Sequence, residues 1–188
     1  MSIFNVVDLE MNQPSGAIIQ IGGVRLDTQI GSIFEFFDEL VNPFPDVLNP
    51  DILNLTGLVE SNILIADKIE IVLKRFWEWA EHKPLISWGR DGNELVNQAS
   101  ILNLHLNLKK IRLIDLAGTV DLFRAGLGSE FRRGGLKNTM YSFGLTFLHR
   151  PHNALTDARN TARLAYYLIQ EMKSLKQIQK ILSEKKNI

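Results

Sequence analysis

Three strand-like segments follow one another before any helical periodicity appears, and this constrains the fold of the chain most. Ile3 to Leu9 is rich in β-branched and aromatic residues, which fits a central strand. Ala17 to Leu26 and Ser32 to Val41 read the same way, and Asp27 to Gly31 between them is short enough for a turn, so the three form a meander. Pro43, Pro45 and Pro50 then punctuate the chain. Beyond them the spacing of apolar residues changes. Ile65, Ile69, Val72, Leu73, Phe76, Trp77 and Ala80 recur at helical intervals, which predicts one helix over Ile63 to Glu81. A strand at Pro84 to Trp88, a helix at Asn93 to Leu106 and a strand at Ile111 to Leu116 follow. Short helices are expected at Leu116 to Arg124 and Leu136 to Phe143, and a last helix from about Ala154 to beyond Leu182. A meander followed by alternating helices and strands describes an α/β domain, a mixed sheet flanked by helices.

Size and composition fit that reading. The 188 residues, 45% of them hydrophobic, suit one packed α/β domain, and no repeat, low-complexity tract or linker divides them. The motif-bearing part covers about residues 3–170, with a helical extension over about 171–188. The 21 basic and 21 acidic side chains balance. This argues against a protein that coats long nucleic acid through charge alone, and leaves room for one that grips a few nucleotides at a strand end. With no cysteine, disulfides and thiolate metal sites are excluded, and any metal has to be held by carboxylates, imidazole or water. The first residues resemble no signal peptide and no apolar run is long enough for a bilayer, so a cytoplasmic protein with no membrane association is expected.

Residues able to do chemistry gather in three places. Asp8 and Glu10 alternate on the first strand and so point to one face, where two like charges are costly unless a cation neutralises them. The plainer reading is a polar strand end facing water. Asp91 follows Ser87-Trp88-Gly89-Arg90, just past a strand end, where open α/β sheets place their ligands. Its plainer reading is a helix N-cap. His152 lies five positions ahead of Asp157 at the entrance of the last helix, where the dipole favours a carboxylate and an imidazole can accept a proton near neutral pH. A surface histidine beside a helix-start aspartate would look the same. Together, four carboxylates and an imidazole are what two-metal phosphodiester hydrolysis needs. Arg132, Arg133 and Lys137 around Gly134-Gly135 could meet phosphates, although the glycine spacing is not that of a P-loop and a solvated loop explains them equally. His82, His105 and His149 read as surface or structural, Trp77 and Trp79 as core or interface, and the C-terminal lysines as a solvated helix face.

In these residues the chain resembles the DEDDh 3′→5′ exonucleases, a family that includes proofreading exonuclease subunits, ribonuclease T and the enhancer-of-RNAi type of RNA exonuclease. Val7-Asp8-Leu9-Glu10 matches the first motif, and Gln13 to Val24 looks like the strand turn after it. Leu55-Thr56-Gly57-Leu58 is similar to a short turn of the family, and Ser87-Trp88-Gly89-Arg90-Asp91 resembles the second motif. Gly135-Leu136-Lys137-Asn138 and His152-Asn153-Ala154-Leu155-Thr156-Asp157-Ala158-Arg159 resemble the third-motif region. The likeness runs from about Ile3 to Tyr167. One departure is Arg90, where this branch of the family often has an aromatic, in a segment that looks one residue shorter.

The resemblance implies a ribonuclease-H-like fold with a five-stranded mixed sheet and helices on both faces. It implies two divalent ions, Mg²⁺ or Mn²⁺, held by Asp8, Glu10, Asp91 and Asp157, with His152 as general base. The expected reaction releases nucleoside 5′-monophosphates from the 3′ end of single-stranded RNA or DNA. Met11 and Asn12 are candidates for touching the terminal nucleotide. Two other readings stay open: a catalytically idle nucleic-acid-binding module on the same fold, and a proofreading partner of a polymerase. The amphipathic tail (Ala165, Leu168, Ile169, Met172, Leu175, Ile178, Ile181, Leu182) is a candidate for docking a protein partner or a second copy.

Overall fold

The computed structural model describes residues 2–104, 110–128 and 134–185, with side chains through Gln177. β1 (Ile3–Met11), β2 (Ile18–Asp27) and β3 (Ile33–Leu40) form the expected meander. α1 (Pro50–Thr56), α2 (Glu60–Leu64) and α3 (Ile69–Ala80) lead to β4 (Leu85–Ser87). α4 (Asp91–Ile101), β5 (Leu113–Asp115), α5 (Leu116–Gly126), α6 (Leu136–Ser142) and α7 (Ala154–Lys185) complete the chain. The strands make one sheet in the order β3-β2-β1-β4-β5. β1 pairs antiparallel with β2 and parallel with β4, so the sense of the sheet changes at β1.

Alternation along β1 separates the two faces. Val7 and Leu9 join Phe76, Trp77 and Leu95 from α3 and α4 in one apolar cluster. Val6 joins Val24, Ile86, Met140, Leu164 and Leu168 in another, which is covered by α5, α6 and α7. Asp8 and Glu10 have the parity of Val6 and therefore face α7. That helix approaches closely because Ala154, Ala158, Ala162 and Ala165 are all buried along it. Gly22, opposite Asp8 in the register, lies under its first residue. A Cβ there would overlap the backbone of Ala154 and Leu155. A glycine inside a buried strand marks such a close approach.

Two expectations need correction. The helix predicted over Ile63 to Glu81 is two helices. Between them Lys68 is extended, the Asp67 carbonyl accepts the Asn42 amide at 3.0 Å, and Asn42 bridges to Lys68, so this stretch pairs with the chain leaving β3. Ile65, counted as part of the helical stripe, is 85% exposed. The proline-punctuated stretch contains the unexpected α1. Asn49 caps it by accepting the Asp51 amide at 2.9 Å, Pro50 takes the first turn, and Gly57 ends it in the left-handed conformation. Pro50 starts a helix here rather than breaking one. α4 begins at Asp91, two residues early; the expected end near Leu106 lies outside the described residues, as do His105, Arg132 and Arg133. No helix among the described residues is long and apolar enough to cross a membrane.

Candidate active site

Three elements meet at the C-terminal ends of β1 and β4, where open sheets place their ligands. Asp8 and Glu10, each 9% exposed, project from β1 toward α7. Asp91 opens α4. It does not cap that helix: its Oδ2 accepts the Leu9 amide of β1 at 3.3 Å, which ties the start of α4 to the strand carrying the first two carboxylates. The turn before it is held from two sides. Ser87 Oγ donates to the Gly89 carbonyl at 3.0 Å and accepts the Gly92 amide at 3.1 Å. Asp115 accepts the Gly89 amide at 3.1 Å while capping α5 through the Ala117 amide at 2.9 Å.

Asp157 comes from the first turn of α7. One of its oxygens accepts the His152 amide at 3.1 Å; the other is buried without a hydrogen-bond partner. Asn153 caps the helix by accepting the Thr156 amide at 3.1 Å. His152 has φ 64° and leaves its side chain exposed over the site. Ligand atoms of Glu10, His152 and Asp157 lie within 4.8 Å of one another. The loop carrying His152 is anchored by Arg150, which donates to the Asn54 and Leu55 carbonyls at the end of α1, at 2.6 and 3.1 Å.

The electrostatics follow from crowding buried carboxyls. Burial, then Asp91, Asp157 and Glu10, push the Asp8 carboxyl well above its usual range. Glu10 is pushed up to about 8, first by burial and then by Asp157 and Asp91. Burial lifts Asp91 to about 6 against the lowering effects of the Leu9 amide and the Asp8 side chain. Burial also raises Asp157, opposed by the His152 amide and imidazole. Such a site holds protons or a cation, because like charges this close cannot all ionise unaided. An all-oxygen donor set with one unpartnered buried oxygen fits a hard divalent ion.

The cavity above these groups has a volume of about 430 Å³. Asp8, Glu10, His152 and Asp157 line its polar end, and Trp88, Leu136, Phe147 and Pro151 give it apolar walls; Lys137 also lines it. The structure thus brings together Asp8, Glu10, Asp91, Asp157 and His152. It does not bring Met11 and Asn12 to the cavity. Asn12 is 1% exposed, and its amide is spent on the Val47 carbonyl at 2.9 Å and the Asn49 amide at 2.9 Å, so it holds the loop before α1. Met11 packs on the apolar cluster under α3.

Motif spacing alone singles out none of Gln20, Gly22, Ser87 or Asp115. A glutamine and a glycine pair inside an apolar strand run were the available signals for the first two. An aspartate just ahead of a helical pattern was the signal for Asp115.

Residues 6–165 match a family model described as exonuclease. The PolC-type DNA polymerase III of Listeria innocua is 27% identical over 94% of this chain, which covers 12% of that protein. The 3′-5′ exoribonuclease 1 of Rattus norvegicus is 27% identical over 82% of this chain, which covers 47% of it. The chain therefore spans about an eighth of the one relative and about half of the other. Among solved structures, the nuclease domain of 3′hExo, a DEDDh family member bound to rAMP, superposes with a TM-score of 0.75. The identity there is 21%, and the match covers 90% of this chain and 92% of that one. With the family model spanning the sheet, the carboxylate cluster and the start of α7, the chain belongs to the exonuclease family.

Proposed function

We propose that the chain is a DEDDh-type 3′→5′ exonuclease that releases nucleoside 5′-monophosphates from the 3′ end of single-stranded RNA or DNA. The observation that carries this reading is the convergence of Asp8, Glu10, Asp91 and Asp157 from three distant parts of the chain, with His152 beside them. Those four carboxylates would hold two divalent ions, Mg²⁺ or Mn²⁺, which supply electrostatic stabilisation to the attacking and leaving oxygens. His152 takes the proton of the attacking water as the water oxygen bonds to phosphorus, and the bond to O3′ breaks with its electron pair going to O3′, which takes a proton from solvent water to become the new 3′-hydroxyl. The exposed imidazole, adjacent to Glu10 and Asp157, supports that role. The apolar walls suit a base lifted from its stack, and Lys137 suits a phosphate. A neutral chain can supply the few contacts a strand end requires.

The test uses 5′-labelled single-stranded RNA and DNA of matched sequence with Mg²⁺ or Mn²⁺, beside EDTA and Asp8→Ala controls. A ladder shortening from the 3′ end, absent in both controls, is expected and reports the sugar preference. Intact strands with either metal, from protein that still binds them, would turn the reading to an idle binding module. Similarity to PolC-type polymerases over 94% of the chain favours a second reading, that the exonuclease serves a polymerase. Preference for a mismatched DNA 3′ end over a paired one would support it.

A further inference from the structure

We infer that Gln20 is a positioning residue for the carboxylate centre: its amide ties the first turn of α7, and with it Asp157, to the strand pair carrying Asp8 and Glu10. The inference rests on the exonuclease reading above. Gln20 lies opposite Glu10 in the β1–β2 register and is 3% exposed. Its Oε1 accepts the Ala154 amide at 3.1 Å and the Asn153 Nδ2 at 3.4 Å. Ala154 provides the first amide of α7, one of four that a helix leaves without an internal partner. The other acceptors nearby are already engaged. Asn153 Oδ1 takes the Thr156 amide, and the Asn153 carbonyl takes the Asp157 amide at 2.9 Å.

The orientation of the Gln20 amide is fixed from the far side. Its Nε2 donates to Asp38 Oδ1 on β3 at 2.8 Å. A carboxylate accepts only, so the nitrogen must face Asp38 and the oxygen must face α7. The result is a continuous link from β3 through β2 to the helix start, three residues ahead of Asp157. Gly22, two positions further along the same face, supplies the space that lets the helix start sit against the sheet. Gln20 fixes the contact that Gly22 permits. Without it, Asp157 is free to move relative to Glu10, and the two share the proposed cation.

Mn²⁺ binding to the full chain, followed by calorimetry beside thermal melts and steady-state kinetics, tests this. Gln20→Leu removes all three hydrogen bonds at similar volume. It should keep the wild-type far-UV spectrum, lose roughly 10- to 100-fold in Mn²⁺ affinity, as an outer-shell partner of a metal ligand does, and lower kcat with KM for the strand little changed. Gln20→Glu alone sets a carboxylate against Asp38 and should also be impaired. Adding Asp38→Asn restores a donor facing an acceptor, and the double variant should recover Mn²⁺ affinity to within about threefold of wild type, again on the outer-shell scale. Folded Gln20→Leu with wild-type Mn²⁺ affinity and kcat overturns the inference alone. If Gln20→Leu does not fold, a double variant no better than Gln20→Glu overturns it. A wild-type chain that binds no Mn²⁺ and shortens no strand overturns the exonuclease reading as well.

Discussion

Glu10 shows what the centre asks of single residues. Its carboxyl is buried beside three others and is pushed up to about 8, so near neutral pH it is poised between a proton and a cation. His152 has the opposite setting: exposed, on a left-handed backbone, and next to the carboxylates rather than buried among them. Removing it should leave the cation site intact and the chemistry slow. His152→Ala is expected to lower kcat by about 10²- to 10⁴-fold, the usual worth of a general base, while Mn²⁺ affinity changes little. Single-turnover kinetics with a matched Mn²⁺ titration measures both; a wild-type rate near neutral pH would remove His152 from the base role. At this scale the sequence was informative for residues that do chemistry and silent for those that hold them. Asp8, Glu10, Asp91, His152 and Asp157 stand in recognisable spacings. Asn12 stands two residues after Glu10, yet its amide is spent on a loop closed 37 residues later, and no local pattern reports such a partner.

Between elements, the decisive contact is α7 against β2. Its geometry is set by atoms that are missing at Gly22 rather than by a bond. Because the overlapping atoms would all be backbone, no rotamer change relieves a side chain there. Gly22→Ala should cost about 1–3 kcal/mol in stability, the range for an overpacked core position, and should reduce activity more than the fraction unfolded explains. Urea melts and turnover on the same preparation make the comparison; a variant as stable and as active as wild type would mean that α7 shifts freely. Element boundaries were readable where local chemistry decides them and unreadable where pairing between distant segments does. The strand meander, β4, α6 and the start of α7 fell where periodicity placed them. The break between α2 and α3 arises from pairing of Asp67 and Lys68 with Asn42, which overrides a helical stripe that Ile65 completed only on paper. Pro50 was ambiguous in principle, since the same residue starts some helices and ends others.

For the molecule as a whole, raised carboxyl pKa values become a stability that depends on pH. Between the ordinary values of Glu10 and Asp91 (4.5 and 3.8) and their folded values of about 8 and about 6, the folded chain holds protons that the unfolded chain has released. Their contribution is therefore full at the acidic end and is lost as pH rises through that window. Without metal, the melting temperature should fall between about pH 5 and pH 8. Mn²⁺ should raise it by an increment that grows with pH, because the ion replaces protons. Melts in EDTA and in excess Mn²⁺ test this; a flat profile with no Mn²⁺ increment at pH 8 would mean that the four carboxyls do not act as one centre. The overall architecture was the most legible level: the order of periodicities describes a mixed sheet flanked by helices, the resemblance implies five strands, and the sheet has five.

The proposed ligands at positions 8, 10, 91 and 157 also bear on how the protein is made. While the chain is being synthesised, the first strand and its two acids emerge first, and Asp157 follows Glu10 only after a further 147 residues. Until Ala154 settles over Gly22, the acids of β1 face an uncovered sheet. A growing chain therefore lacks a complete set of the proposed ligands until α7 has been made. On the proposed reading the centre is completed by the docking of α7 on β2, so the arrival of that helix is itself the step that arms it.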